Sequence, residues 1–182
     1  MGSSLDGPDA WQQAVAQVWA GAAARPGEDV LADISTLVQQ RAPDARGTFE
    51  LAGAYDFAGH EAQAEGLYRE AMRAGLDDER HQQAVIQLAS TLRNLDRPKE
   101  AVKLLRTELT RSLTGRYASA ARAFLALALL DTGADRGAAI TALEGLVECL
   151  PVYQRPLRHY LAELAGVPTR ENDQQPPEVR HE

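Results

Sequence analysis

The chain has 182 residues, a formal net charge of −7, one cysteine, 45% hydrophobic residues and only 5% aromatic residues. This length suits a single domain with its own core, since domains typically contain roughly 100–200 residues. The single cysteine excludes an internal disulfide framework and a multi-cysteine zinc site. The acidic balance argues against nucleic-acid binding, which needs a basic face. No apolar run reaches the roughly 18–20 residues that span a membrane.

Residues 1–7 are predicted to be a disordered or expression-derived leader that takes no part in the fold. The small apolar residues of the segment 14–24 have the composition of a signal-peptide core. However, Asp6 and Asp9 precede this segment, and the first basic residue is Arg25. Because a signal peptide needs a positively charged leader, we expect a cytoplasmic protein.

Two amphipathic helices are predicted within residues 8–42, where apolar residues recur at the spacing of one helix face. Arg25, Pro26 and Gly27 break the first helix, and Pro43 ends the second because the residue before a proline avoids the helical region. We expect this pair to form an N-terminal cap or a degenerate repeat. The two apolar stripes are Trp11, Ala14, Val15, Val18, Trp19 and Ala22, followed by Val30, Leu31, Ile34, Leu37 and Val38.

Residues 45–150 repeat themselves with a period of 37 residues. A fixed period of about 20–50 residues is typical of a solenoid built from stacked units. Three units are visible, and the same kinds of apolar residue return at five positions of each. These positions hold Leu51, Leu88 and Leu125; Ala52, Ala89 and Ala126; Tyr55, Leu92 and Leu129; Ala64, Ala101 and Ala138; and Met72, Leu109 and Leu146.

Each unit is predicted to contain two helices and no strand, since no alternating β-branched run is present. Gly59 and Gly133 separate the two helices in the first and third units, and Asp96 takes that place in the second. We expect Asp96 and Asp135 to act as N-caps of the helices that follow them. The first helices are predicted at 46–58, 82–95 and 118–132, and the second at 61–74, 97–110 and 136–149.

These units resemble tetratricopeptide repeats, which place a small residue next to a large one on the first helix and an alanine early on the second. The resemblance covers residues 45–150 and implies an all-α, right-handed α–α solenoid with N- and C-terminal capping helices. The family period is about 34 residues, so we expect the three additional residues to lie between units, within 76–80 and 111–116.

The C-terminal capping helix is predicted at 152–165, where Leu157, Tyr160, Leu161 and Leu164 form one apolar stripe. The single domain therefore spans residues 8–166. Residues 167–182 are polar and are predicted to be disordered.

No constellation for catalysis or metal binding is evident. His159 and Glu163 are four residues apart on the capping helix, but zinc would need a third ligand that the pattern does not supply. Cys149 follows Glu148 and has no cationic neighbour in sequence that would activate its thiol. No glycine-rich phosphate loop is present. We therefore expect no enzymatic activity and no cofactor.

The resemblance implies that the first helices line a concave groove that binds a protein or peptide. We expect apolar anchors from phenylalanine side chains and polar contacts from the first two units. The predicted groove residues are Phe49, Glu50, Asp56, Phe57, Gln87, Ser90, Arg93, Asn94 and Phe124.

Chaperone-type members of the family hold a terminal carboxylate with basic side chains in this groove. The matching positions here are Phe49, Gly53, Gln87, Ala120 and Phe124, and none of them is basic. We therefore expect a non-catalytic interaction module, a scaffold or regulator, without that clamp.

The alternative is a structural subunit that forms homo-oligomers through the third unit. The groove face of that unit is apolar, and such a surface marks either an interaction site or a contact covered by the terminal helices. Its residues are Ala120, Ala123, Phe124, Leu127 and Leu130.

Overall fold

The computed structural model describes residues 8–111 and 113–166. These residues form nine α-helices and one short 3₁₀ turn, Ala22–Ala24, and contain no strand. The helices are α1 (Pro8–Gly21), α2 (Gly27–Gln39), α3 (Ala45–Phe57), α4 (Glu61–Ala74), α5 (Asp78–Asn94), α6 (Pro98–Arg111), α7 (Gly115–Asp131), α8 (Asp135–Val147) and α9 (Gln154–Leu164).

Consecutive helices pack against each other along the whole described chain. In addition, the first helices of neighbouring units touch, since α3 contacts α5 and α5 contacts α7. Such quasi-one-dimensional packing, in which a unit meets only its neighbours, defines a solenoid. The predicted all-α helical-repeat fold is thereby confirmed.

The helix boundaries agree with the prediction best where glycine marks both ends. Helix α4 spans the predicted residues, whereas α5 begins at Asp78 and α7 at Gly115, earlier than expected. The prediction that the additional residues of the period lie between units is therefore wrong, because they lengthen the first helices instead. At α5 the cause is visible, since the Asp77 carboxylate accepts a hydrogen bond from the Arg80 backbone N–H at 3.0 Å and caps the helix.

Three equivalent turns separate the two helices of each unit. Gly59, Asp96 and Gly133 lie 37 residues apart and all adopt left-handed backbone conformations, with φ values of 83°, 56° and 76°. Asp96 is therefore not the expected N-cap. Asp135 is not a cap either, because it is already the first residue of α8 and Ala134 precedes it as the N-cap.

Two hydrophobic clusters form the core. The larger one runs from α3 to α8, and its small positions Ala64, Ala101 and Ala138 are at most 2% exposed. Small residues at these positions let the two helices of a unit approach closely. The second cluster joins α1 and α2 to α3, and in it the Trp11 indole N–H donates to the Leu37 carbonyl at 3.0 Å.

Both ends of the solenoid carry traces of the same repeat. Gly27 lies 37 residues before Ala64, and a Cβ built there would lie only 2.7 Å from the Cα of Ala58. At the other end Leu161 is buried and follows Leu125 by 36 residues, one fewer than the period, and α9 caps the last unit by packing against α8.

Helix α9 begins at Gln154, two residues later than predicted, and exposed Val152 and Tyr153 precede it. The predicted leader 1–7 and the predicted disordered tail 167–182 lie outside the described residues.

Candidate functional site

A cavity of about 490 Å³ opens between the N-terminal helix pair and the first two repeats. Its walls come mainly from α3 and α5, and α1 and α4 contribute one residue each. The cavity therefore lies in the groove that the first helices form. It is lined by Trp19, Phe49, Glu50, Gly53, Asp56, Phe57, Tyr68, Gln83, Gln87 and Asn94.

Helix α3 supplies half of this lining from one of its faces. Glu50, Gly53 and Phe57 are three and four residues apart, the spacing that places side chains on one face of a helix. A Cβ at Gly53 would lie 3.4 Å from Cζ2 of Trp19. The indole ring therefore lies directly against α3 at this position, within van der Waals distance of where a side chain would begin.

Trp19 ties the N-terminal helix pair to the cavity. Its indole N–H donates to Oε2 of Glu50 at 2.8 Å. Its ring meets that of Phe57 edge to face, with the ring centroids 6.1 Å apart, an arrangement that aromatic pairs favour. Phe57 nevertheless keeps 45% of its surface exposed, so an aromatic surface remains open at the mouth of the cavity.

Glu50 is a half-buried carboxylate that forms no ion pair with a described residue. Burial raises the pKa of its carboxyl group above the ordinary value, because a charged group loses solvation there. The hydrogen bond from Trp19 and the more distant charges of Arg80 and Arg46 oppose the shift without cancelling it. The fold therefore holds a poorly solvated negative charge on this wall.

Asp56 is a second carboxylate in the same situation. Burial raises its pKa, the nearby hydroxyl groups of Thr91 and Tyr68 oppose the shift, and the charge of Glu61 adds to it. The bond from the Tyr68 hydroxyl is long, at 3.5 Å. Burial, together with Asp56 and Glu50, also raises the pKa of Tyr68, which therefore stays a neutral donor.

Gln87 contributes an unpaired acceptor. Its side-chain Oε1 is shielded from solvent and has no hydrogen-bond partner among the residues that the structure describes. A buried polar atom without a partner is destabilising by about 1–3 kcal/mol. The cavity thus brings together two carboxylates without cations and one amide oxygen without a donor.

Six of the nine predicted groove residues line this cavity, but they differ in what they can contact. Phe49 is only 5% exposed and belongs to the main core, so Phe57 is the accessible phenylalanine. The six are Phe49, Glu50, Asp56, Phe57, Gln87 and Asn94.

The other three predicted residues lie elsewhere. Arg93 forms an ion pair with Asp131 at 2.6 Å and lines a separate cavity beside it. Phe124 is half-buried and packs against the main core, so it is not a free anchor. Ser90 is half-buried and does not line the cavity.

Sequence reasoning missed Trp19 and Tyr68 as cavity residues. Trp19 was placed on an apolar stripe, and such a stripe shows that a face is buried without showing which helix covers it. Tyr68 lies on α4, a second helix, whereas the groove was expected from first helices alone, yet Tyr68 lines the cavity. The available signal was that tryptophan and tyrosine carry an N–H and an O–H group, which usually find a hydrogen-bond partner when the rings are buried. Both residues were therefore candidates for a polar site at the edge of the core.

The groove face of the third unit has a different character. Leu127 and Leu130 are 42% and 50% exposed, and no described helix covers them. Of the two alternatives for this face, cover by the terminal helices is not seen within residues 8–111 and 113–166. Helix α9 packs against α8 instead.

The other candidate groups form no site among the described residues. His159 pairs with Glu163 at 3.3 Å. No group of three or more residues that could hold a metal ion is found within residues 8–111 and 113–166. Cys149 is exposed, and its thiol points to the Gly145 carbonyl at 3.7 Å. No helix in the described residues is long and apolar enough to cross a membrane.

The stacked helix pairs and the groove along their first helices define a helical-repeat solenoid of the kind that binds other proteins. A family model described as Tetratrico peptide repeat matches residues 45–164, and the chain belongs to the tetratricopeptide repeat family. Comparison with curated proteins and with solved structures gave no match. Members of this family generally act as non-enzymatic interaction modules.

Proposed function

We propose that this protein is a cytoplasmic, non-catalytic scaffold or regulator that binds a segment of a partner protein in the cavity between α1, α3 and α5. The observation that carries the proposal is the composition of this cavity. Its volume of about 490 Å³ lies within the range of specific ligand sites. It combines the open ring of Phe57 with two carboxylates that form no ion pair with a described residue and with the unpaired Oε1 of Gln87. Aromatic side chains in water-excluding pockets are typical of binding hot spots.

A peptide-display selection on the full chain tests the proposal. A library of random dodecapeptides is panned on the wild type, and enriched peptides are then titrated against Phe57→Ala and Leu130→Ala. Leu130 is a matched control, since it is a similarly exposed apolar residue on α7 outside the cavity.

We expect enriched peptides to bind the wild type and Leu130→Ala equally and to bind Phe57→Ala about fivefold to tenfold more weakly. Equal binding to all three proteins, or a failure to enrich any peptide, would reject the cavity as the binding site.

The exposed Leu127 and Leu130 favour a second candidate function, a structural subunit that self-associates through α7. Sedimentation between 1 and 100 μM, roughly the range over which weak homodimers form, tests this idea. A dimer that the Leu130→Lys variant abolishes would support it, whereas a monomer at every concentration would remove it.

A further inference from the structure

We infer that the cavity recognises a basic segment of a partner protein by taking up one of its arginine side chains. This inference rests on the proposed function and specifies the chemistry of the ligand. It depends on three features of the cavity, namely its acceptors, its aromatic wall and the absence of an internal cation.

The first feature is a set of hydrogen-bond acceptors without counterions. Neither Glu50 nor Asp56 forms an ion pair with a described residue, although both are half-buried. Oε1 of Gln87 is unpaired on the facing helix α5. The complement of such a wall is a donor-rich cation, and a guanidinium group carries five N–H donors in a planar fork.

The second feature is that nearby arginines are engaged elsewhere. Arg46 donates to Gln12 at 2.6 Å and lies near the Trp11 ring. Arg80 pairs with Asp77 at 2.7 Å. Arg93, which is equivalent to Asp56 one unit later, pairs with Asp131. These three arginines are therefore held by other partners, and no described cation contacts the two carboxylates of the cavity, although the charges of Arg80 and Arg46 act on Glu50 from a distance.

The third feature is the aromatic wall. The Phe57 ring is partly open and its orientation is set by the Trp19 ring against it. Arginine stacks on aromatic faces and is more weakly hydrated than lysine, so it loses less on entering a half-buried site. Carboxylates beside an aromatic surface therefore favour arginine over lysine, and they exclude an acidic or terminal-carboxylate ligand.

The charge of the whole chain acts in the same direction. The net charge of −7 attracts basic segments at long range. Glu61 adds a further negative charge close to Asp56. The potential around the cavity thus steers cations towards it and repels acidic peptides.

The test uses arrays of otherwise randomised nonapeptides whose central residue is arginine, lysine, citrulline, leucine or glutamate. Citrulline keeps the size and planarity of arginine but has no charge. The arrays are probed with the wild-type chain and with Glu50→Gln, Asp56→Asn and Glu70→Gln. The last variant is the control, because Glu70 is an exposed carboxylate on α4 outside the cavity.

We expect arginine-centred peptides to bind the wild type about tenfold more tightly than citrulline-centred peptides, the effect of a hydrogen bond to a charged group. Lysine should fall between them. Glu50→Gln and Asp56→Asn should each reduce this discrimination severalfold, and Glu70→Gln should leave it unchanged. Thermal unfolding of the same variants checks that lost binding does not reflect lost folding.

The contrary outcomes separate the two proposals. Equal binding of arginine and citrulline peptides, or preference for leucine or glutamate, would overturn the arginine pocket while leaving a groove that binds peptides. If Glu50→Gln and Asp56→Asn leave the arginine preference unchanged, arginine is recognised by another surface and the proposed pocket is wrong. Failure of every array to bind would overturn the binding module itself.

Discussion

The three first helices α3, α5 and α7 occupy equivalent places in the solenoid, yet their groove faces carry different chemistry. The face of α3 is acidic and aromatic, that of α5 is polar, and that of α7 is apolar. Their interior faces remain alike, with leucine followed by alanine in each. The groove positions that differ are Glu50, Gln87 and Phe124; Gly53, Ser90 and Leu127; and Asp56, Arg93 and Leu130.

This difference shows which positions the architecture constrains. Interior positions lie between helices, where close packing restricts the volume of each side chain. Groove positions lie largely outside this close packing, although Glu50 bonds to Trp19 and Arg93 pairs with Asp131. Their chemistry can therefore vary from unit to unit while the fold is kept. The acidic cavity of the first unit and the apolar face of the third are two surfaces on one scaffold.

The largest expected effect comes from breaking an interior position. Leu88 is 1% exposed, and Leu88→Ala should lower the free energy of unfolding by about 2–5 kcal/mol, because it removes buried contacts and leaves a cavity. The matched change Leu127→Ala on the groove face should cost less than about 1 kcal/mol. Urea denaturation measures the free energy of unfolding of both variants. Equal losses would show that the groove face contributes to stability as much as the interior face does.

The small positions of the repeat should show the next largest effect. Gly27→Ala places a methyl group against the backbone of Ala58 and Phe57, and we expect a loss of about 1–3 kcal/mol from overpacking. Gly66→Ala on α4 is the control, since a Cβ there meets nothing within 4 Å. The control should gain about 0.5–1 kcal/mol, as alanine is favoured over glycine inside a helix.

A stabilising Gly27→Ala substitution would mean that α2 does not approach α3 as closely as a repeat helix approaches its partner. The N-terminal pair would then be a loosely attached cap rather than a further unit of the same kind.

Much of the fold could be predicted because the constraints on it are local. The 37-residue period, the alanine positions and the turn glycines are each visible in the residues themselves. The start of α5 was placed too late because its first turn is polar, although the Asp77 cap that begins it was recognisable. Apolar periodicity detects only the part of a helix that is buried.

The candidate site was harder to predict because it depends on contacts between distant segments. The register of the repeats placed Glu50 and Gln87 on the groove, and both line the cavity. It could not place Trp19 there, since an apolar stripe on α1 does not show which helix that stripe packs against. Nor could it show that Arg93 is taken up by an ion pair with Asp131.

Burying the Glu50 carboxylate in the cavity should lower the free energy of unfolding, and this loss should depend on pH. The folded-state pKa of Glu50 is raised, so the folded chain binds its proton more readily than the unfolded chain does. The carboxylate therefore destabilises the fold above the raised pKa, and this loss disappears as the pH falls below the unfolded value near 4.5. Arg46, Arg80 and Tyr68 are titratable groups whose charge or protonation is coupled to this carboxylate.

We accordingly expect Glu50→Gln to be more stable than the wild type at pH 7 by on the order of 1 kcal/mol, and to match it near pH 3. Glutamine keeps an acceptor for the Trp19 N–H, so the comparison isolates the charge. Denaturation of both proteins at the two pH values is the measurement. If the variant is instead less stable at pH 7, the charge of Glu50 supports the fold. The acidic groove face of α3 would then be required for stability, unlike the apolar groove face of α7.

The smallest expected effect concerns the turns that all three units share. Asp96 holds the left-handed conformation that glycine holds at Gly59 and Gly133, and this conformation is unfavourable for a residue with a Cβ. Asp96→Gly should therefore raise the free energy of unfolding by about 0.5 kcal/mol, since relief of strain exceeds the added freedom of the unfolded chain. The reciprocal Gly133→Ala should cost about 1 kcal/mol, and because a Cβ at Gly133 meets nothing within 4 Å, that cost is purely conformational. If Asp96→Gly instead destabilises the protein, the aspartate side chain contributes to the turn. The second unit would then differ from its neighbours in its backbone connections as well as in its groove face.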